Sequence, residues 1–158
     1  MCIRDSYKSS VEKFTKQTPE KIAYNFISED GIETKLSYFE LNTKVSKLAN
    51  VFKSLGVKKG DVIAIYLPMI EEAIVSILAA AKIGAVQTIV FSGYSSESLK
   101  TRLQDCHAKI LITSDGFHRK GKAISQKTAV DNAVIDTCLL YTSPSPRDRT
   151  RSRMPSSA

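Results

Sequence analysis

Between residues 62 and 113 three short β-prone runs alternate with two helical periodicities, and this alternation narrows the possible folds more than any other feature. Val62, Ile63, Ala64, Ile65, Tyr66 and Leu67 form an unbroken apolar run that Pro68 stops. Such a run suits a strand covered on both faces. Residues 71–83 read as a helix with Ala73, Ile74, Ile77, Leu78 and Ala81 inward, Glu72 and Lys82 outward, and Gly84 as its cap. Residues 86–91 read as the next buried strand. Ser95, Ser96 and Glu97 open another helix whose core side carries Leu99, Leu103 and Cys106, and residues 109–113 read as a further strand. Strand, helix, strand, helix, strand with short connections predicts βαβ units. The fold class is therefore α/β, with a mainly parallel sheet and helices on both faces.

The preceding residues carry clear local signals. Residues 9–16 suit a short helix ended before Pro19. Residues 22–28 alternate like a strand, Asp30 and Gly31 mark a hairpin, and residues 34–36 suit the returning strand. Ser37 and Glu40 stand three residues apart, the spacing of a capping box in which hydroxyl and carboxylate each satisfy a backbone N–H. Leu41, Val45, Leu48, Phe52 and Leu55 then fall on one helical face, and Gly56 follows as the residue that ends the helix.

The net charge of +7 on 158 residues could suggest a nucleic-acid partner. The ends of the chain account for much of it. Residues 137–158 are rich in Ser, Pro and Arg and lack hydrophobic periodicity, which predicts a disordered tail. Residues 138–143 can be encoded as TGT CTC TTA TAC ACA TCT, and the reverse complement of that DNA, read in another frame, encodes residues 1–5. The two ends thus read as one DNA segment in opposite orientations, and they resemble a transposase-end adaptor used in sequencing libraries. Residues 1–6 and 137–158 are set aside as adaptor-derived, and residues 7–136 are taken as a single partial domain. The ends hold five Arg and two Asp, so the central segment carries +4 rather than +7. It retains one cysteine, Cys106, which offers neither a disulfide framework nor a metal cluster. No run approaches the ~20 apolar residues that span a bilayer. The expectation is a cytoplasmic protein with no nucleic-acid or membrane partner.

From residue 48 onward the order of short motifs resembles one family. Residues 48–61, ending in Gly56, Val57, Lys58, Lys59, Gly60 and Asp61, are similar to the stretch that leads into the first core strand of AMP-forming acyl-CoA synthetases. The strand 62–67 with Pro68 and Met69, and the segment Lys82, Ile83, Gly84, Ala85, Val86, also fit. Ile112, Thr113, Ser114, Asp115 and Gly116, followed by Arg119, Lys120, Gly121 and Lys122, resemble the acetyl-CoA synthetase branch of these adenylate-forming ligases. The resemblance implies part of an N-terminal domain of α/β subdomains. It implies a two-step reaction using ATP, CoA, magnesium and a short carboxylic acid such as acetate. It also implies that the Gly-rich phosphate loop, magnesium carboxylate and adenylation lysine lie downstream of residue 136. No catalytic or metal-binding residue is therefore assigned here, and the fragment alone is expected to be inactive.

Two stretches remain as binding candidates. Arg119, Lys120, Gly121 and Lys122 place three cations around a glycine, a composition that suits either a phosphorylated ligand or a solvated basic loop. The resemblance implies contact with the nucleotide end of CoA, although Lys122 stands where the family usually has Arg. Phe91, Ser92, Gly93 and Tyr94 follow a strand and precede a helix, the position where open α/β sheets bind ligands. The resemblance places this turn near CoA, with Ser92 replacing a glycine and Gln87 standing where many acetyl-CoA synthetases have His. His107 and His118 have no Cys or carboxylate at metal or catalytic spacing, and Cys106 suits a small core residue. Tyr141, Thr142 and Ser143 mimic the opening of a phosphate loop, but the Gly, Thr and Lys that would cradle phosphate do not follow. A stand-alone α/β module for a nucleotide or phosphorylated ligand is the alternative reading of the whole segment.

Overall fold

The computed structural model describes residues 7–28, 31–119, 122–135 and 141–143. A π-helical turn, Lys8–Glu12, runs directly into the short helix α1, Lys13–Gln17. Strands β1 (Ile22–Ile27) and β2 (Glu33–Ser37) form an antiparallel hairpin. Helix α2, Tyr38–Ser54, starts on the anticipated capping box: Ser37 Oγ accepts from the Glu40 N–H, and the Glu40 carboxylate accepts from the Ser37 N–H at 2.9 Å. Leu41, Val45, Ala49 and Phe52 are its buried stripe, and Gly56 follows the helix end at φ +77°.

The central sheet is parallel, with strand order β4-β3-β5-β8. Strand β3 is Val62–Tyr66, β4 is Val86–Ile89, β5 is Ile110–Thr113 and β8 is Tyr141–Ser143. Helix α3, Glu71–Ile83, connects β3 to β4, and α4, Ser96–Asp105, connects β4 to β5. An antiparallel hairpin of β6 (Gly116–Arg119) and β7 (Lys122–Ser125) follows, and then α5, Lys127–Val134. Alternation along β3 divides the core in two. Ile63 and Ile65 pack with the buried faces of α2 and α3, together with Tyr7 and Val11. Ala64 and Tyr66 pack on the other side with Leu99 and Leu103 of α4 and with Val130 and Ala133 of α5. The expected α/β architecture is thus present, with helices on both faces. Among the described residues no helix is long and apolar enough to cross a membrane.

Four expectations need correction. Strand β4 is not a buried interior strand: it lies at the edge of the described sheet, and Val86 and Ile89 are exposed. Lys82 does not point to solvent. Its Nζ donates to Ser46 Oγ at 2.8 Å and to Asn42 Oδ1 at 3.4 Å, and it lies 3.8 Å from the Glu12 carboxylate and 5.0 Å from the Tyr7 ring centroid. A lysine stem can cover apolar surface while its amine reaches polar partners, so helical periodicity alone does not fix its direction. Along α3 the most buried residues include Val75, Ser76, Ala79 and Ala80, whereas Ile77 and Leu78 are only partly buried, because α2 packs beside α3 and covers a second arc of it. Finally, the tail reads as disordered by composition, yet Tyr141–Ser143 pairs with β5. Tyr and Thr are β-prone, and the open edge of β5 offers unpaired backbone groups.

Candidate functional site

The chain crosses the sheet between β4 and β5, leaving β3 central, so the connections diverge at the carboxyl ends of β3 and β5. In open parallel sheets that point of divergence is where ligands bind. Here it is organised by Tyr66 and Gln126. The Tyr66 hydroxyl donates to the carbonyls of Ser92 (3.2 Å) and Tyr94 (2.9 Å), which ties the turn after β4 to the end of β3. Burial pushes the Tyr66 phenol above its ordinary value, and the Gln126 side chain opposes the rise. Gln126 is 1% exposed. Its Nε2 donates to the Tyr66 carbonyl at 2.9 Å, and its Oε1 accepts from Ser114 Oγ at 2.7 Å. One side chain therefore bridges the ends of β3 and β5 and holds the start of α5 against both. Neither Tyr66 nor Gln126 is suggested as a site residue by the sequence. A tyrosine ending an apolar strand signals a hydroxyl that needs a buried partner, but Gln126 carries no local signal, since its partners are 12 and 60 residues away.

The turn 91–94 matches the expectation for its position. Ser92 is buried against β3, whereas Gly93 is exposed. Phe91 and Tyr94 are 58% and 44% exposed and meet edge to face at 6.2 Å, with the Arg102 guanidinium 4.9 Å from the Tyr94 ring centroid. An exposed aromatic pair beside a cation can accept a flat, electron-rich ring by stacking. Helix α4 begins just beyond, its Ser95 hydroxyl accepting from the Ser98 N–H.

Two residues of the basic stretch belong to the β6–β7 hairpin. Arg119 ends β6 directly opposite Lys122, which begins β7 and is exposed. Lys120 and Gly121, which link the strands, lie outside the described residues. Gly116 sets the base of the hairpin: a Cβ there would lie 2.5 Å from the Ile124 carbonyl oxygen, so only glycine permits the observed approach. Tyr66 and Gln126 anchor both elements at the same end of the sheet, but no hydrogen bond described between the aromatic turn and the hairpin joins them directly.

The opposite end of the sheet has an open depression of about 520 Å³, lined in part by Asp61, Cys106, His107 and Lys109. Its polar groups are already engaged. Lys109 Nζ donates to Asp61 at 2.8 Å and to the Gly56 carbonyl at 2.7 Å, and the Cys106 thiol donates to the Leu103 carbonyl. The Lys109 hydrogen bond, with a second from the Lys58 N–H, holds the Asp61 carboxyl below the usual carboxylate range. His107 is exposed at φ +49°. Among the described residues no three His, Cys, Asp or Glu come together in a way that could hold a metal ion.

The family described as AMP-binding enzyme matches residues 11–156. The acetyl-coenzyme A synthetase of Methanothrix thermoacetophila is 51% identical over 115 residues, which is 72% of this chain and 18% of that protein. Acetyl-coenzyme A synthetase 2 of Saccharomyces cerevisiae is 46% identical over 125 residues, 78% of this chain and again 18% of the relative. Among solved structures, acetoacetyl-CoA synthetase from Streptomyces lividans superposes with a TM-score of 0.77 at 28% identity, covering 80% of this chain and 20% of that one. The chain thus spans about a fifth of the length of the proteins it matches.

Proposed function

Because the chain belongs to the AMP-binding enzyme family, we propose that it is part of an acid–CoA ligase acting on acetate or another short carboxylic acid. In the full-length polypeptide the acid's carboxylate attacks the α-phosphate of ATP, giving an acyl-adenylate and pyrophosphate. The CoA thiolate then attacks the acyl carbon and displaces AMP. Magnesium would accompany ATP and neutralise phosphate charge, held by residues outside this segment. The observation that carries this reading is identity near one half to acetyl-coenzyme A synthetases over 115 and 125 residues, 72% and 78% of the chain.

Within that reaction this segment serves CoA binding. Arg119, Lys120 and Lys122 supply cations for the nucleotide phosphates, Gly121 admits close backbone approach, and the turn at Gly93 presents Phe91 and Tyr94 for stacking. The groups that perform adenylation belong to other parts of the polypeptide, so the 158-residue chain alone does not turn over. Its ends read as adaptor-derived from the inverted repeat in their coding sequence, although the family match runs from residue 11 to residue 156. The working compartment is the cytoplasm, and neither nucleic acid nor membrane is a partner.

The test is Arg119→Ala in the full-length enzyme. The KM for CoA should rise roughly tenfold, as expected for loss of a charge-assisted phosphate contact. ATP–pyrophosphate exchange driven by the acid should be largely spared. Equal loss in both half-reactions would overturn the CoA assignment. A gene that ends soon after residue 136, without a phosphate-gripping loop, would leave the stand-alone binding module instead.

A further inference from the structure

We propose that Gln126 and Tyr66 are positioning residues for CoA: together they fix the β6–β7 hairpin relative to the aromatic turn, so that one CoA molecule meets both. The inference rests on the CoA reading given above and adds to it two residues that CoA does not touch. Each is 1% exposed, so each acts only through the groups it holds.

Gln126 stands where both strands of the hairpin are tied down. It directly follows β7, which ends at Ser125, while Ser114 and Asp115 directly precede β6, which begins at Gly116. The Gln126 N–H donates to the Asp115 carbonyl at 2.8 Å, and the Lys127 N–H donates to the same oxygen at 3.1 Å. Ser114 Oγ donates to Gln126 Oε1 at 2.7 Å. These bonds hold the two ends of the hairpin to each other. Gln126 Nε2 then donates to the Tyr66 carbonyl at 2.9 Å, which fixes that base to β3. From the same tyrosine the hydroxyl donates to the Ser92 and Tyr94 carbonyls. A continuous path of hydrogen bonds thus runs from the strand that carries Arg119 to the turn that carries Phe91 and Tyr94.

The chemistry of the two side chains suits that task. An amide offers a donor and an acceptor in one plane, and here the donor meets a carbonyl and the acceptor meets a hydroxyl. Buried bonds of this kind resist rearrangement, because breaking one leaves a polar group unpaired away from water. Without such ties the hairpin would sample many positions, and CoA would have to order it on binding, with a loss of affinity. Holding hairpin and turn in place beforehand removes that cost.

The experiment measures the KM for CoA and acid-driven ATP–pyrophosphate exchange in the full-length polypeptide. Gln126→Met keeps the length of the side chain and removes both of its hydrogen bonds. It should raise the KM for CoA about tenfold while exchange changes by less than about twofold. The decisive reading is the double variant. With the hairpin loosened, Arg119 contributes little, so Gln126→Met with Arg119→Ala should lie within about threefold of the worse single variant. Losses that multiply would show that Arg119 is held independently of Gln126 and would overturn the proposal. Where Gln126→Met does not fold, Tyr66→Phe carries the test, since it keeps the ring and removes only the hydroxyl. It should show the same split between CoA and exchange, and the same shortfall when combined with Phe91→Ala; multiplied losses there overturn the proposal equally. The two readings separate on the single variants. If Arg119→Ala weakens both half-reactions alike, the CoA reading and this inference fall together. If Arg119→Ala acts on CoA alone and folded Gln126→Met leaves the KM for CoA unchanged, only this inference falls.

Discussion

Tyr66 and Gln126 show how much of the candidate site rests on single side chains. A hydroxyl at the end of β3 holds two carbonyls of the aromatic turn, and a nearly inaccessible amide joins β3 to β5. Arg119 and Gly93 were legible because charge and glycine at a turn are local signals. Tyr66 and Gln126 were not, because the chemistry that matters is the partner each meets across the fold. Gly116 belongs at the same scale. Gly116→Ala forces a Cβ against the Ile124 carbonyl oxygen, and a backbone atom cannot rotate away as a side chain would. The substitution should destabilise the β6–β7 hairpin by about 1–3 kcal/mol. Hydrogen exchange at Phe117 and Ile124 should speed up, and under the proposed function CoA binding by the full-length polypeptide should weaken with adenylation spared.

Helices α2 and α3 begin or end at the capping signals their sequences carry. The capping box starts α2, and Gly84 closes α3 in the left-handed region at φ +75°. Ser37→Ala removes the side-chain acceptor for the Glu40 N–H and should cost about 1 kcal/mol, measured by denaturant unfolding. The cap also has a pH signature. Hydrogen bonds from the Ser37 backbone and hydroxyl hold the Glu40 carboxyl below its ordinary 4.5. A carboxyl lowered in the folded state contributes stability above its unfolded value, and that contribution is lost as pH falls through the folded one. Unfolding of the Ser37→Ala chain should therefore depend less on pH below 4.5 than unfolding of the parent chain. Strand β4 marks the limit of reading at this scale. Its composition is that of a buried strand, yet among the described residues it has only one neighbour.

At the scale of the whole molecule, the polar cluster around Lys82 joins the first helical turns to the α/β body. The Tyr7 hydroxyl donates to Asn42 Oδ1 at 2.8 Å, and Lys82 Nζ lies 3.5 Å from the same hydroxyl. Burial, with the Glu12 charge as a lesser cause, pushes the Tyr7 phenol from 10.0 up to about 12. A group whose folded value is raised contributes stability that is whole below its unfolded value and is lost as pH rises through the folded one. Alkaline unfolding should thus steepen between 10.0 and about 12. Tyr7→Phe should flatten that limb while leaving neutral stability lower by about 1 kcal/mol, the usual worth of one hydrogen bond. An equally steep alkaline limb in the variant would assign it to another group.

What the amino-acid order settled by itself was local and periodic: the capping box, the helix-ending glycines, the apolar runs, and hence an α/β fold with a parallel sheet. These follow from backbone hydrogen bonding and from side-chain direction within a few residues, which neighbours in sequence already specify. Only the tertiary structure decided that β4 lies at the edge of the described sheet, that Lys82 turns inward, and that Gln126 closes the divergence of β3 and β5. Each depends on which surface arrives from tens of residues away, and hydrophobic burial does not say which partner that will be.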